Sequence, residues 1–232
     1  MEIFIFIIGL CVGSFVNVLI DRLPKGEDVF GGRSRCDYCK KNLRWFELIP
    51  ILSFFTQSGR CLRCHKKLSF QYPIIELVVG IGFVFLFPSI PELLIFLSLL
   101  VIFVADLKYE IIPDSMVVFG LLGSMLRGTN YWIWGFGAAA FFLFLFLITR
   151  GRGMGFGDVK LVFLLGLMLG FPNIVIALYA AFLTGAAVGI ILMLGGKKTL
   201  KSHVPFGPFL ILGAVFALLY GNQAIQWWYT FL

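Results

Sequence analysis

From Leu161 to Gly196 the chain runs 36 residues without a charged side chain. An apolar helix needs only about 20 residues to cross the hydrocarbon core of a bilayer. The run is therefore too long for one crossing, and Gly170-Phe171-Pro172-Asn173 interrupts it, so it reads as two helices joined by a tight turn. Three further stretches lack charge: Ile3 to Ile20 (18 residues), Gly128 to Thr149 (22) and Val204 to Leu232 (29). The last ends in Trp227, Trp228 and Tyr229, an anchor of the kind that sits at a membrane–water interface. Weaker spans fall near 73–90, 91–109 and 112–127. Only 13% of the residues are charged, about half the share in a soluble domain. The expected fold is an all-α polytopic membrane protein with about eight transmembrane helices, and lipid as its solvent.

The basic residues orient the chain. With the N-terminus outside, the loops at 21–72, 106–114, 150–160 and 197–203 are cytoplasmic and hold 18 of the 19 Lys and Arg residues, Arg127 alone lying opposite. The reverse orientation violates the positive-inside bias. The net charge of +7 is thus topogenic and gives no reason to expect nucleic acid as a partner. The first span reads as a retained helix and not a cleaved signal: no basic segment precedes it, and Asp21-Arg22 follow it.

Residues 21–72 form a polar insertion between the first and second spans, with 11 Lys or Arg and four of the five cysteines. Cys36-x-x-Cys39 and Cys61-x-x-Cys64 are separated by 21 residues. Each C-x-x-C turn aims two sulfurs at one centre, and two turns complete a tetrahedral thiolate site for zinc. With all four positions filled by protein, the metal is structural. A pair of disulfides is the competing reading, disfavoured in a reducing cytoplasm. His65 reads as a solvent-facing loop residue and Cys11 as a packed small hydrophobe. No sequence repeat is evident. The organisation expected is a first helix (1–20), a cytoplasmic zinc module (21–72) and a transmembrane core (73–232).

Carboxylates at membrane depth are costly and mark candidate sites. Asp106 ends the apolar run Leu93–Ala105 and precedes Ile112-Pro113-Asp114, where the proline suits the first turn of the next helix. Asp158 lies in Gly155-Phe156-Gly157-Asp158-Val159-Lys160, just before another span. Both fall at cytoplasmic helix ends, hence at similar depth, where two carboxyls can share a water: one ionised to accept its proton, one protonated to donate to the oxyanion. Read singly, each has a plainer role: Asp158 as an N-cap, Asp106 as a partner of Lys108, Asp114 as a dipole or cap residue. His203 has no evident nucleophile beside it.

Taken together, the motifs resemble the bacterial type IV prepilin peptidases, a branch of the Gly-x-Gly-Asp membrane aspartyl proteases. Gly13-Ser14-Phe15-Val16-Asn17-Val18 with Arg22-Leu23-Pro24 matches the family's opening. Ser34-Arg35-Cys36, Cys39, Trp45-Phe46-Glu47, Ile49-Pro50, Leu52-Ser53, Gly59-Arg60-Cys61, Cys64, Tyr72-Pro73 and Glu76 follow its loop pattern in order. Asp106 with Ile112-Pro113-Asp114, Gly155 to Lys160 and Pro205-Phe206-Gly207-Pro208-Phe209 complete it. Asp37 departs from the family's usual proline, at a position that is not a metal ligand.

The resemblance implies cleavage of the basic leader from prepilins and pseudopilins, after a glycine, at the cytoplasmic face of the bacterial inner membrane. Asp106 and Asp158 are its catalytic positions, with Gly155, Gly157 and Lys160 forming the active-site loop. It also implies N-methylation of the new terminal residue, usually Phe, from S-adenosylmethionine, with Glu47 and Glu76 as candidate residues; read plainly, Glu76 caps the second span and Glu47 forms a salt bridge within the zinc module. No glycine-rich fingerprint of a soluble adenosyl-cofactor domain is present. Two other classes were weighed. A transporter or channel needs a water path and related halves, whereas these carboxylates sit at one edge. A non-catalytic assembly factor would tolerate Asp106→Asn and Asp158→Asn. A sixth span of only about 158–171 covers roughly 20 Å against a core of about 30 Å, which suggests local thinning or water access near Asp158.

Overall fold

The computed structural model describes residues 1–29, 31–36, 38–128, 131–151, 154–194 and 205–230, with side chains to Gln226. The side chains of the Trp227-Trp228-Tyr229 anchor, together with Asp37 and His203, lie outside that set. Nine α-helices are described: α1 (Glu2–Arg22), α2 (Leu52–Thr56), α3 (Gln71–Leu86), α4 (Ile90–Tyr109), α5 (Asp114–Leu126), α6 (Trp132–Thr149), α7 (Phe156–Leu169), α8 (Asn173–Leu194) and α9 (Gly207–Thr230). Proline, which has no N–H to lose in a first turn, occupies that turn of α3 (Pro73), α4 (Pro91) and α9 (Pro208). Pro113 stands one residue earlier than expected, capping α5 from outside.

All eight apolar runs are helical, and the break at 170–172 separates α7 from α8. Of the eight crossings expected, five, α1, α4, α6, α8 and α9, are long and apolar enough to cross a membrane, while α3, α5 and α7 have 16, 13 and 14 residues. At 1.5 Å per residue, α7 covers only about 21 Å. The deficit arises because polar or turn-forming residues trim these helices. Gly170 (φ +64°) stops α7 and Gly128 (φ +76°) follows α5.

The chain divides into two compact units, Met1–Leu97 and Ser98–Leu232, with α4 straddling the boundary. In the first, α1 lies along α3. The approach is backbone to backbone: a Cβ at Gly13 would lie 2.7 Å from the Glu76 Cα. Such small-residue seams drive helix association where lipid removes the hydrophobic drive. Asn17, buried in the seam, donates from Nδ2 to the Tyr72 carbonyl at 3.1 Å. Cys11 is exposed on α1 rather than packed.

In the second unit, α7 is the central helix, against α5, α6, α8 and α9, with ten of its 14 residues buried. That explains its uniform apolarity, since a helix surrounded by protein has no polar face to show. α8 and α9 pair closely, with Gly213 set against the Ala177 carbonyl.

Candidate active site and metal centre

Four helix ends meet in the second unit. Asp106 lies one turn before the C-terminus of α4, and Asp158 in the first turn of α7. Both are buried, 5% and 6% exposed, which excludes ordinary surface capping. Each carboxylate is held by one backbone amide. The Gly207 N–H, at the start of α9, donates to Asp106 Oδ2 at 2.9 Å. The Gly155 N–H donates to Asp158 Oδ2 at 3.1 Å, the reach-back bond of a capping box. Both acids therefore sit against helix N-termini, whose partial positive charge favours an anion.

Glycine is required at 207 by space: a Cβ there would stand 2.5 Å from Asp106 Oδ2. The alternative pairing of Asp106 with Lys108 gives way to this amide bond, and the Lys108 ammonium lies over the Tyr109 ring. Asp114, read as a cap or dipole residue, has a further role. Lys160 Nζ donates to both its oxygens at 2.7 and 2.8 Å, tying the first turns of α5 and α7 together. Gly157 lies against Ile112, where a Cβ would come within 3.1 Å.

The insertion builds a different kind of site. The Sγ atoms of Cys36, Cys39, Cys61 and Cys64 all lie within 4.8 Å of one another, and none is in a disulfide. Cys36 and Cys64 sulfurs are 3.8 Å apart, matching the edge of about 3.8 Å of a tetrahedron with Zn–S bonds of about 2.3 Å. Burial pushes the Cys36 thiol up to about 11. The Cys64 and Arg63 backbone amides draw Cys61 down to about 7. The residues present fit a tetrahedral metal, and His65 is exposed outside the cluster.

The two knuckles are structural copies, contrary to the expectation of no repeat. In one, the Cys36 N–H donates to the Lys41 carbonyl, Lys40 N–H to Cys36 and Leu43 N–H to Ser34. In the other, Cys61 donates to Lys66, His65 to Cys61 and Leu68 to Gly59. Lys40 and His65 share a left-handed backbone, φ +55° and +54°. The signal was present as Arg35-Cys36-x-x-Cys39 and Arg60-Cys61-x-x-Cys64, each closing on a leucine.

Two glutamates are buried in the same unit. Glu47, in the single turn Trp45–Leu48, accepts the Arg44 N–H at Oε2, 2.6 Å away. Glu76 is not a helix cap: it stands well inside α3 and accepts the Ile51 N–H at 2.7 Å. Among the described residues neither has a basic side chain as partner, so the salt bridge considered for Glu47 is not formed.

Residues 7–90 match the bacterial peptidase A24 N-terminal domain, and residues 93–190 match the type IV leader peptidase family. A Bacillus subtilis protein named prepilin leader peptidase/N-methyltransferase is 36% identical over 97% of this chain and 96% of its own length. A protein of the same name from Stutzerimonas stutzeri is 30% identical over 94% and 90%, and one from Legionella pneumophila 27% over 98% and 94%. No solved structure matches the chain. With two buried aspartates at helix ends and similarity running through both units, the chain belongs to the type IV leader peptidase family.

Proposed function

We propose that this chain removes the leader from type IV prepilins and pseudopilins and then N-methylates the new terminus, working as a multi-pass protein of the bacterial inner membrane. The observation that carries the first activity is the buried Asp106–Asp158 pair, each carboxylate fixed by a glycine amide at a helix start. One carboxylate takes a proton from water as the oxygen attacks the scissile carbonyl. The protonated partner donates to the developing oxyanion, and collapse of the tetrahedral species expels the amine. Gly155, Gly157 and Lys160 hold the loop that aims Asp158.

All eight apolar helices cross or enter the bilayer in this reading, with the N-terminus outside and the aspartates at the cytoplasmic edge, as the basic loops require. The prepilin offers an apolar helix preceded by a polar leader, so its scissile bond lies at the same depth. The short α7 thins the barrier there. The region 21–72 is a cytoplasmic module closed by structural zinc on its four cysteines, and 73–232 is the transmembrane core that includes the aspartates.

The test is cleavage of a prepilin-like peptide by the purified protein. Asp106→Asn and Asp158→Asn should each lower the rate by at least about 10²-fold while remaining monodisperse. Near-normal cleavage by either would remove that aspartate from the site and make Asp114 the next candidate.

A further inference from the structure

Glu47 and Glu76 share more than a mode of anchoring: both line one cavity of about 190 Å³ that lies wholly within the first unit. Asp21 lines it too, as do Cys36 and Cys61, one cysteine from each knuckle. Native packing leaves few voids larger than a water molecule, so a space of this size with charged side chains of both signs on its walls is a binding site in form.

Its charge balance points to the ligand. Glu47 is 8% exposed and Glu76 7%. Their recorded partners are backbone amides, with the Ser14 side chain also at Glu76. Buried carboxylates are ordinarily matched by a cation. Four basic residues, Arg22, Lys25, Arg35 and Lys40, line the same walls, and among the described residues none of them bonds to Glu47 or Glu76. Arg22 donates to the carbonyls of Asp28 and Gly31 at 3.0 Å, and Arg35 pairs with Glu27 at 3.2 Å. The cavity thus combines buried acids with arginines whose donors face other groups, and it suits an organic cation. At about 190 Å³ it is below the roughly 300–1,000 Å³ that a drug-sized ligand fills, so it takes one end of such a molecule.

We infer that this cavity receives the methionine end of S-adenosylmethionine, its sulfonium included, with Glu47 and Glu76 as the carboxylates facing the sulfonium charge. The assignment rests on the methyltransferase reading and gives it a place. In the transfer, the amine lone pair of the cleaved substrate forms the N–C bond as the C–S bond breaks. Sulfur keeps that bonding pair and becomes a neutral thioether. The positive charge passes to nitrogen, which releases a proton to water.

The neutral product, S-adenosylhomocysteine, makes the test specific, because it keeps the adenosyl and amino-acid parts and lacks the sulfonium charge. Equilibrium dialysis against the full-length protein in detergent would measure both ligands. Glu47→Gln and Glu76→Gln should each weaken S-adenosylmethionine by at least about tenfold and S-adenosylhomocysteine by clearly less. Ser53→Phe, which places a ring on the cavity wall, should abolish binding of both. Unchanged affinity in all three variants would overturn the assignment.

Photolabelling of the unmutated protein with methyl-tritiated donor does not depend on how the variants fold. Label should map to peptides within residues 14–76, and label confined to 98–232 would overturn it. Wild type that neither binds donor nor methylates would bring down the methyltransferase reading itself. Wild type that methylates while the label lies elsewhere would remove the cavity alone.

Discussion

Each of the two units buries a pair of carboxylates, and each fixes its acids with backbone amides, yet the surroundings differ. In the first unit, Glu47 and Glu76 are held by amides of the 44–51 loop and face a cavity walled partly by the metal knuckles. In the second, Asp106 and Asp158 are held by amides at the starts of α9 and α7. A cavity with acids on its walls can retain a cation. Two acids in electrostatic contact can divide a proton between them. In the proposed account the same side-chain chemistry serves retention in one unit and proton transfer in the other. The boundary between the two matched family regions, at residues 90–93, falls close to the boundary between the units.

Metal removal should separate the units most strongly. The knuckles contribute Cys36 and Cys61 to the cavity wall, and a module of this size depends on its metal for folding. Stripping the protein with a strong chelator should release zinc, measured by atomic absorption. Donor affinity should then fall by about 10²-fold or more, with peptide cleavage affected far less. Equal loss of both activities would mean that the metal supports the whole molecule.

Gly207→Ala sharpens the contrast from the other side. The added methyl would stand against Asp106 Oδ2, and misplacing a catalytic group by about 1 Å can cost 10²-fold. Cleavage should drop by roughly 10 to 10² with donor affinity unaltered. Wild-type cleavage would show that the Gly207 amide does not position Asp106.

The Lys160–Asp114 pair should matter least. It is partly exposed, 35% and 68% at the two side chains, and exposed pairs contribute about 0–1 kcal/mol. Lys160→Met and Asp114→Asn should each slow cleavage by no more than about fivefold. The double variant should be no worse than either single one, as expected for two members of one contact. Additive losses would give each residue a separate role.

Much of this was legible in the sequence because lipid imposes a simple rule: uncharged runs become helices, and all eight did. The four cysteines were legible because C-x-x-C spacing is a geometric statement. Helix length was less so, since hydropathy does not register where a Gly170 or a Pro113 ends or delays a helix. The role of Lys160 was hidden because its partner Asp114 is 46 residues away. The plainer reading of Glu76 as a cap fails because its partner, the Ile51 amide, comes from a loop bend with φ +61° that no local pattern announces. The knuckle repeat was readable and overlooked, masked by the different residues between the cysteines.

The account stands on the separation of two chemistries, and an already cleaved substrate isolates one of them. A synthetic pilin segment with a free N-terminal Phe would be offered with labelled S-adenosylmethionine to wild type, Asp106→Asn and Asp158→Asn, and methyl incorporation measured. The account predicts methylation within about twofold of wild type in both variants, against losses of at least about 10² in cleavage of the uncut peptide. Loss of methylation together with cleavage would contradict it, placing both reactions on the aspartate site.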